Sequence, residues 1–209
     1  MNEESHYTVE NVHEYGLNVA TRDIFLFPWI YLKAGCPEYY EESGVENTLS
    51  SRLIYNLKIL ESISDEPITI HMKTCGGDWH EGMAIYDAIK LSPCHITSIV
   101  YTHARSMSSI ILQAADWRVM MPNSVYMFHD GDYGDEGTVK TVRSNFDFYD
   151  KIGVAMLDIY VDSLKEKGIF SSWGRKKIKN MLVEEMDKKE NVYLTAKEAV
   201  SWGFADEVL

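Results

Sequence analysis

Cysteine is scarce and scattered in this chain. Cys36, Cys75 and Cys94 are odd in number, widely spaced and free of any CxxC pair. They make neither a disulfide framework nor a thiolate zinc site, and a reducing, cytoplasmic setting is expected. Long apolar runs are missing too. The longest near-continuous one covers residues 24–32 and is broken by Pro28, too short to span a bilayer. Positive charge is in deficit, with 20 Lys and Arg against 32 Asp and Glu and a net charge of −12. That argues against a nucleic-acid partner and against docking on an anionic membrane. Neither GxGxxG nor GxxxxGK[ST] occurs, so no phosphate loop is expected, and no HExxH pair suggests a metal. Internal repeats and low-complexity tracts are absent as well. Met1 to His13 is polar and acidic, unlike a secretory signal.

What is present is an alternation of strand-like and helix-like segments. Residues 1–20 show no strong periodicity and are expected to form an N-terminal arm, flexible or ordered by a partner. Ile24-Phe25-Leu26-Phe27 predicts a buried strand, and residues 34–48 a loop rich in Gly, Pro, Glu and Tyr. Leu53, Ile54, Leu57, Leu60 and Ile63 share one helical face. Strands follow at residues 68–72, 96–101, 117–121 and 125–129. A long helix is predicted over residues 138–167 and a shorter one over 171–183. Thr195 with Glu198 forms a capping box for a last helix, and a short strand ends the chain. Strand, helix, strand, helix implies an α/β fold with parallel strands and right-handed crossovers.

Three features carry potential chemistry. Ser106 ends a β-branched strand and opens the apolar run Ile110-Ile111-Leu112. A serine there is commonly a helix N-cap, and the same geometry also suits a nucleophile at a strand-to-helix turn. Gly76-Gly77 follows the strand 68–72, where paired glycines permit a tight turn or close approach of backbone to a ligand. Both turns lie at C-terminal strand ends, which line one crevice in an open α/β sheet. The N–H groups of Gly77 and Met107 can there form an oxyanion hole. His129 ends the strand 125–128 and is the candidate base that a serine requires.

Five motifs in order, over roughly residues 19–209, resemble the proteolytic subunit of Clp protease, the ClpP family. Thr74-Cys75-Gly76-Gly77 stands for the family's Ser-Pro-Gly-Gly. Gly82-Met83-Ala84-Ile85-Tyr86-Asp87 matches its following helix, and Arg105-Ser106-Met107-Ser108 its nucleophile motif Ala-Ser-Met-Gly. Pro122-Asn123-Ser124 through Met127-Phe128-His129 matches its histidine strand. Leu194-Thr195-Ala196-Lys197-Glu198-Ala199, closed by Gly203, matches its C-terminal motif. The resemblance implies a ClpP/crotonase-like fold of repeated β-β-α/β-α units. It implies a peptidase domain over 21–209 and a protruding handle helix within about 130–168.

It further implies a serine endopeptidase that hydrolyses unfolded polypeptides inside a ring chamber through an acyl-enzyme. Ser106 is then the nucleophile, His129 the base, and Gly77 and Met107 the oxyanion donors. No metal or organic cofactor is implied. The implied partners are further copies of the chain, in heptameric rings stacked as a tetradecamer, and an AAA+ unfoldase. The chain departs from the family at the third triad position. The family has Asp three residues before its Leu-Ser-Ala motif; here that position is Asn191, with Glu190 and Asp187 nearby. Ser108 also replaces a glycine, and the 34–48 loop and the segment between His129 and Asn191 are longer than usual. Two alternatives follow: a catalytically impaired structural subunit of such a ring, and a crotonase-type acyl-CoA enzyme, which needs no serine.

Overall fold

A computed structural model describes residues 3–28, 30–32 and 40–209. Cys36 and the first part of the expected 34–48 loop lie outside the described residues. In chain order the elements are α1 (Glu3–Tyr15), β1 (Leu17–Asn18), β2 (Asp23–Leu26), β3 (Ile30–Leu32), β4 (Tyr40–Glu42), α2 (Asn47–Ile63), β5 (Ile68–Thr74), α3 (Trp79–Lys90), β6 (Ile96–Arg105), α4 (Met107–Leu112), β7 (Trp117–Met120), β8 (Val125–Phe128), α5 (Val139–Glu166), α6 (Arg175–Lys189), β9 (Val192–Thr195), α7 (Ala196–Trp202) and β10 (Glu207–Val208).

The main sheet runs β1-β2-β5-β6-β7-β10, with β8 and β9 joined through β6. Ten-residue β6 serves two partners. Thr97 to Val100 pair with β7, and His103 to Arg105 pair with β8. The β5, β6, β7 and β8 pairings are parallel, because the connections between them pass through helices. The expectation of parallel strands needs correcting at three pairings, one of them the separate two-stranded antiparallel sheet of β3 and β4. β1 pairs β2 antiparallel across a turn too short for a crossover, and β9 returns antiparallel on β8. Residues 3–15 also form a helix, although their sequence has no strong periodicity.

Helix starts follow side-chain chemistry. Asp78 accepts from the Glu81 N–H at α3, Thr138 accepts from Thr141 at α5, and Thr195 with Glu198 completes the capping box at α7. The core is one cluster between sheet and helices. Leu49, Leu53, Leu57 and Leu60 of α2 pack with Ile70 and Met72 of β5, Val100 of β6 and Ile111 of α4. Ile63, expected on the same face as Leu60, is 57% exposed. Helix α5 divides into two halves. Its C-terminal half buries Ile152, Met156, Leu157, Tyr160, Val161 and Leu164, whereas Val139, Phe146 and Phe148 of the N-terminal half stand exposed. No helix among the described residues is long and apolar enough to cross a membrane.

One buried ion pair fastens the C-terminal segment to the sheet. The Arg118 guanidinium meets Asp206 through two 3.0 Å bonds, with side-chain exposures of 4% and 1%. Burial pushes the Asp206 carboxyl up, but Arg118 and Lys167 outweigh it and hold the group below its ordinary 3.8. A folded-state value below the unfolded one makes this contribution complete above about pH 4, and it is lost as pH falls through the depressed value. Replacing one partner of such a pair leaves the other charge buried and unpaired. Asp206→Asn is therefore expected to cost about 3 kcal/mol at neutral pH, measured by guanidinium unfolding. The gap to wild type should close as the pH is taken below 3.8; a gap constant down to strong acid would show that charge is not its source.

Candidate active site

The site forms where two strand-to-helix turns meet. β6 continues into Ser106, whose N–H bonds the Met127 carbonyl at 3.0 Å, one step beyond the β6–β8 ladder. Ser106 then turns sharply, with φ 50° and ψ −127°. A non-glycine residue at positive φ costs on the order of 1–3 kcal/mol and persists only where its surroundings impose it. Ser106 occupies the N-cap position of α4, yet its side chain makes no capping bond. Its Oγ lies 2.7 Å from His129 Nε2 instead.

The second turn, between β5 and α3, comes so close that side chains are excluded. A Cβ on Gly76 would lie 2.6 Å from Ser106 Cβ and 2.7 Å from the Arg105 carbonyl oxygen, and one on Gly77 2.3 Å from the Val45 carbonyl oxygen. Both glycines have positive φ, so composition and space agree. The segment before α2 pins this turn from its other side. The Val45 N–H donates to the Gly76 carbonyl at 2.6 Å, and the Asp78 N–H to the Val45 carbonyl at 2.8 Å. Among the described residues, neither the Gly77 N–H nor the Met107 N–H has an acceptor. Both residues line a cleft of about 570 Å³ together with Ser106 and His129. Met107, Ile110, Ile152 and Met156 give the cleft an apolar wall, and Asp78, Asp130 and Asp132 an acidic mouth.

The third predicted position is less complete. The antiparallel register Met127↔Tyr193, Phe128↔Val192 puts Asn191 opposite His129 one step past the ladder. Asn191 is exposed, however, and its own N–H donates back to the Lys189 carbonyl at 2.6 Å. Glu190 and Asp187 are exposed as well. No side chain among the described residues bonds His129 Nδ1. The structure thus brings Ser106, His129, Gly77 and Met107 together, and leaves Asn191, Glu190 and Asp187 without a bond to the imidazole.

Several neighbours carry no recognisable sequence signal. Glu42 Oε1 accepts the Cys75 N–H at 2.8 Å, just before the glycine pair. Burial, reinforced by Glu42, pushes the Cys75 thiol up, so it stays protonated and unreactive. Burial and then Arg105 lower the His103 imidazole. Ser108 Oγ is buried without a partner among the described residues. Behind the Ser106 turn, Ser109 Oγ lies 2.6 Å from the Ser106 carbonyl oxygen and 2.7 Å from the Tyr160 hydroxyl. No group of His, Cys, Asp and Glu able to hold a metal occurs among the described residues.

Sequence and fold both resemble known proteins. The Clp protease family model matches residues 40–209. An ATP-dependent Clp protease proteolytic subunit of Deinococcus radiodurans is 26% identical over 171 residues, covering 79% of this chain and 76% of the relative. One of the same description from Porphyromonas gingivalis is 26% identical over 205 residues, covering 95% and 82%. The structure of a ClpP1 point mutant from Listeria monocytogenes superposes with a TM-score of 0.70 at 19% identity, over 91% of this chain and 92% of that one. With a family model spanning most of its length and the expected α/β architecture in place, the chain belongs to the Clp protease family.

Proposed function

We propose that the chain is a serine endopeptidase acting on unfolded polypeptides. The observation that carries this reading is the 2.7 Å contact of Ser106 Oγ with His129 Nε2, beside two backbone N–H groups with no acceptor among the described residues. Ser106 attacks the scissile carbonyl while His129 takes its proton, and the Gly77 and Met107 N–H groups receive the oxyanion. His129 then protonates the leaving amine, and water, activated by the same imidazole, hydrolyses the acyl-enzyme. The Ser106 hydroxyl is free for this because it caps nothing. A crotonase-type acyl-CoA reaction would leave the Ser106–His129 pair without a task.

The exposed apolar residues of the N-terminal half of α5, Val139, Phe146 and Phe148, suit a handle that packs against further copies of the chain. Their burial in a heptameric ring, paired to a second ring, would remove apolar surface from water. Family membership also suggests an AAA+ unfoldase as the partner that feeds substrate. One observation favours a second reading, a catalytically impaired structural subunit of such a ring. The imidazole Nδ1 has no partner among the described residues, and Asn191 can accept a hydrogen bond but supplies no charge to stabilise an imidazolium.

A fluorophosphonate probe separates the two. Labelling of wild type that vanishes in Ser106→Ala is the expected result; an intact oligomer that takes no label would favour the structural subunit. The third position has its own test. In chymotrypsin-type proteases the triad Asp-to-Asn change lowers kcat by about 10⁴. Asn191→Asp should therefore raise kcat on a peptide substrate at least about tenfold, within that ceiling. Unchanged kcat would move the orienting role to Glu190 or Asp187.

A further inference from the structure

The peptide joining Ser106 to Met107 has two ends with opposite duties. Its N–H belongs to Met107 and has no acceptor among the described residues. Its C=O belongs to Ser106 and is held twice, by the Ser109 N–H at 2.9 Å and by Ser109 Oγ at 2.6 Å. A peptide unit is planar and trans, so fixing the carbonyl direction fixes the N–H direction opposite to it. The Met107 nitrogen also lies against the Gly76 turn, within 3.0 Å of where a Gly76 Cβ would stand.

Proton accounting orders the hydroxyls behind this peptide. Ser109 Oγ touches two oxygens, the Ser106 carbonyl and the Tyr160 hydroxyl. A carbonyl only accepts, so the Ser109 proton goes to Ser106. The Tyr160 proton then goes to Ser109 Oγ, the phenol's hydrogen-bond partner among the described residues. The opposite order would leave the phenol proton without an acceptor and a close pair of bare oxygens at Ser106. Tyr160 is fully buried, and burial pushes its phenol far above the ordinary range, so it remains a donor at any working pH. Ser109 is itself anchored, since its own carbonyl accepts from Gln113 Nε2 at 3.0 Å and from the Tyr126 hydroxyl at 3.2 Å.

We infer that Ser109 and Tyr160 are positioning residues that set the plane of the Ser106–Met107 peptide, and thereby aim the Met107 N–H at the developing oxyanion. The inference rests on the proposed peptidase reading for its catalytic consequence, but the orientation of the peptide is a separate fact. Tyr160 sits on α5, so the aim of the oxyanion donor is tied to the seating of that helix.

The test uses the full chain in its native oligomer, with Ser109→Ala, Tyr160→Phe and Ser109→Thr. Loss of an oxyanion donor outright costs about 10²–10³ in kcat. Misaiming one should cost less: about 10- to 100-fold for Ser109→Ala and about 3- to 10-fold for Tyr160→Phe, with KM nearly unchanged. Affinity for a peptide aldehyde, whose adduct places an oxygen at the oxyanion position, should weaken by the same factor as kcat/KM. Ser109→Thr, which keeps the hydroxyl, should restore most of the loss. A purely structural role would lower the amount of folded oligomer without this parallel. Crystal structures of wild type and Ser109→Ala provide the readout independent of activity, with Tyr160→Phe in its place if Ser109→Ala does not fold. A rotated Ser106–Met107 peptide upholds the positioning role even where wild type takes no fluorophosphonate and the peptidase reading falls. An unmoved peptide, or unchanged kcat and aldehyde affinity in an active enzyme, overturns it.

Discussion

The contact on which the site depends is the approach of one strand-to-helix turn to another with no room for a side chain between them. Gly76 lies against Ser106 and the Arg105 carbonyl closely enough that a methyl group would overlap both. That approach exists because β5 and β6 are parallel neighbours that, past a register shift between Met72 and Thr74, end with Thr74 beside Ala104, so both chains leave the sheet at the same end. The parallel sheet thus supplies the crevice. The local sequence supplies only what the crevice tolerates, which is glycine on one side and a strained serine on the other.

Strain at Ser106 must be sustained from outside, and the surrounding bonds show from where. Ahead of it, β8 accepts its N–H through Met127. Behind it, a chain of buried polar groups runs to the end of the protein: Ser109 to Gln113, Gln113 to Arg118 at 2.7 Å, and Arg118 to Asp206. Gln113 also donates to the Phe204 carbonyl at 3.2 Å. Each buried donor in that chain finds an acceptor, which is the condition for polar groups to stiffen a core instead of weakening it. The fully buried rings of Tyr126, Phe128, Tyr160 and Phe204 pack beside it, Tyr126 stacked on Phe204 and the others tilted or edge-on. The C-terminal segment is therefore part of the support of the Ser106 turn, though it lies far away in sequence.

Much of this was legible in the residues. Apolar spacing between residues 138 and 167 placed α5, and the Thr195–Glu198 capping box marked the start of α7, because those signals are local. The Gly76-Gly77, Ser106 and His129 positions could be placed at strand ends for the same reason. What was illegible depends on distant partners. Val192-Tyr193-Leu194-Thr195 alternates like a strand, but it is only four residues long and ends on the capping box that dominates its pattern. Its pairing with β8 follows the whole excursion through α5 and α6. Ser109 looks like any small residue in a helix, and nothing nearby in sequence reveals that Tyr160 lies against it. Ile63 follows buried Leu60 by three positions, but it is the last residue of α2 and stands exposed.

Residue 191 illustrates the division between sheet and helix control. The β8–β9 register alone would carry it across from His129. Its backbone, however, is set by the end of α6, where Glu190 adopts φ 57° and bonds its N–H to the Met186 carbonyl. The Asn191 N–H bonds back to Lys189, so residue 191 still belongs to the helix terminus when the ladder has already ended. That terminus is held through Ile178, Leu182 and Met186, which are buried in the common core. The direction of the 191 side chain therefore follows the seating of α6, whereas His129 follows the sheet. His129 thus meets Ser106 Oγ at 2.7 Å from the end of a sheet strand, while residue 191 across from it answers to a helix terminus. Residue 191 is exposed, so neither an amide nor a carboxylate there carries a burial cost when it makes no bond, and the choice between them is not decided by desolvation.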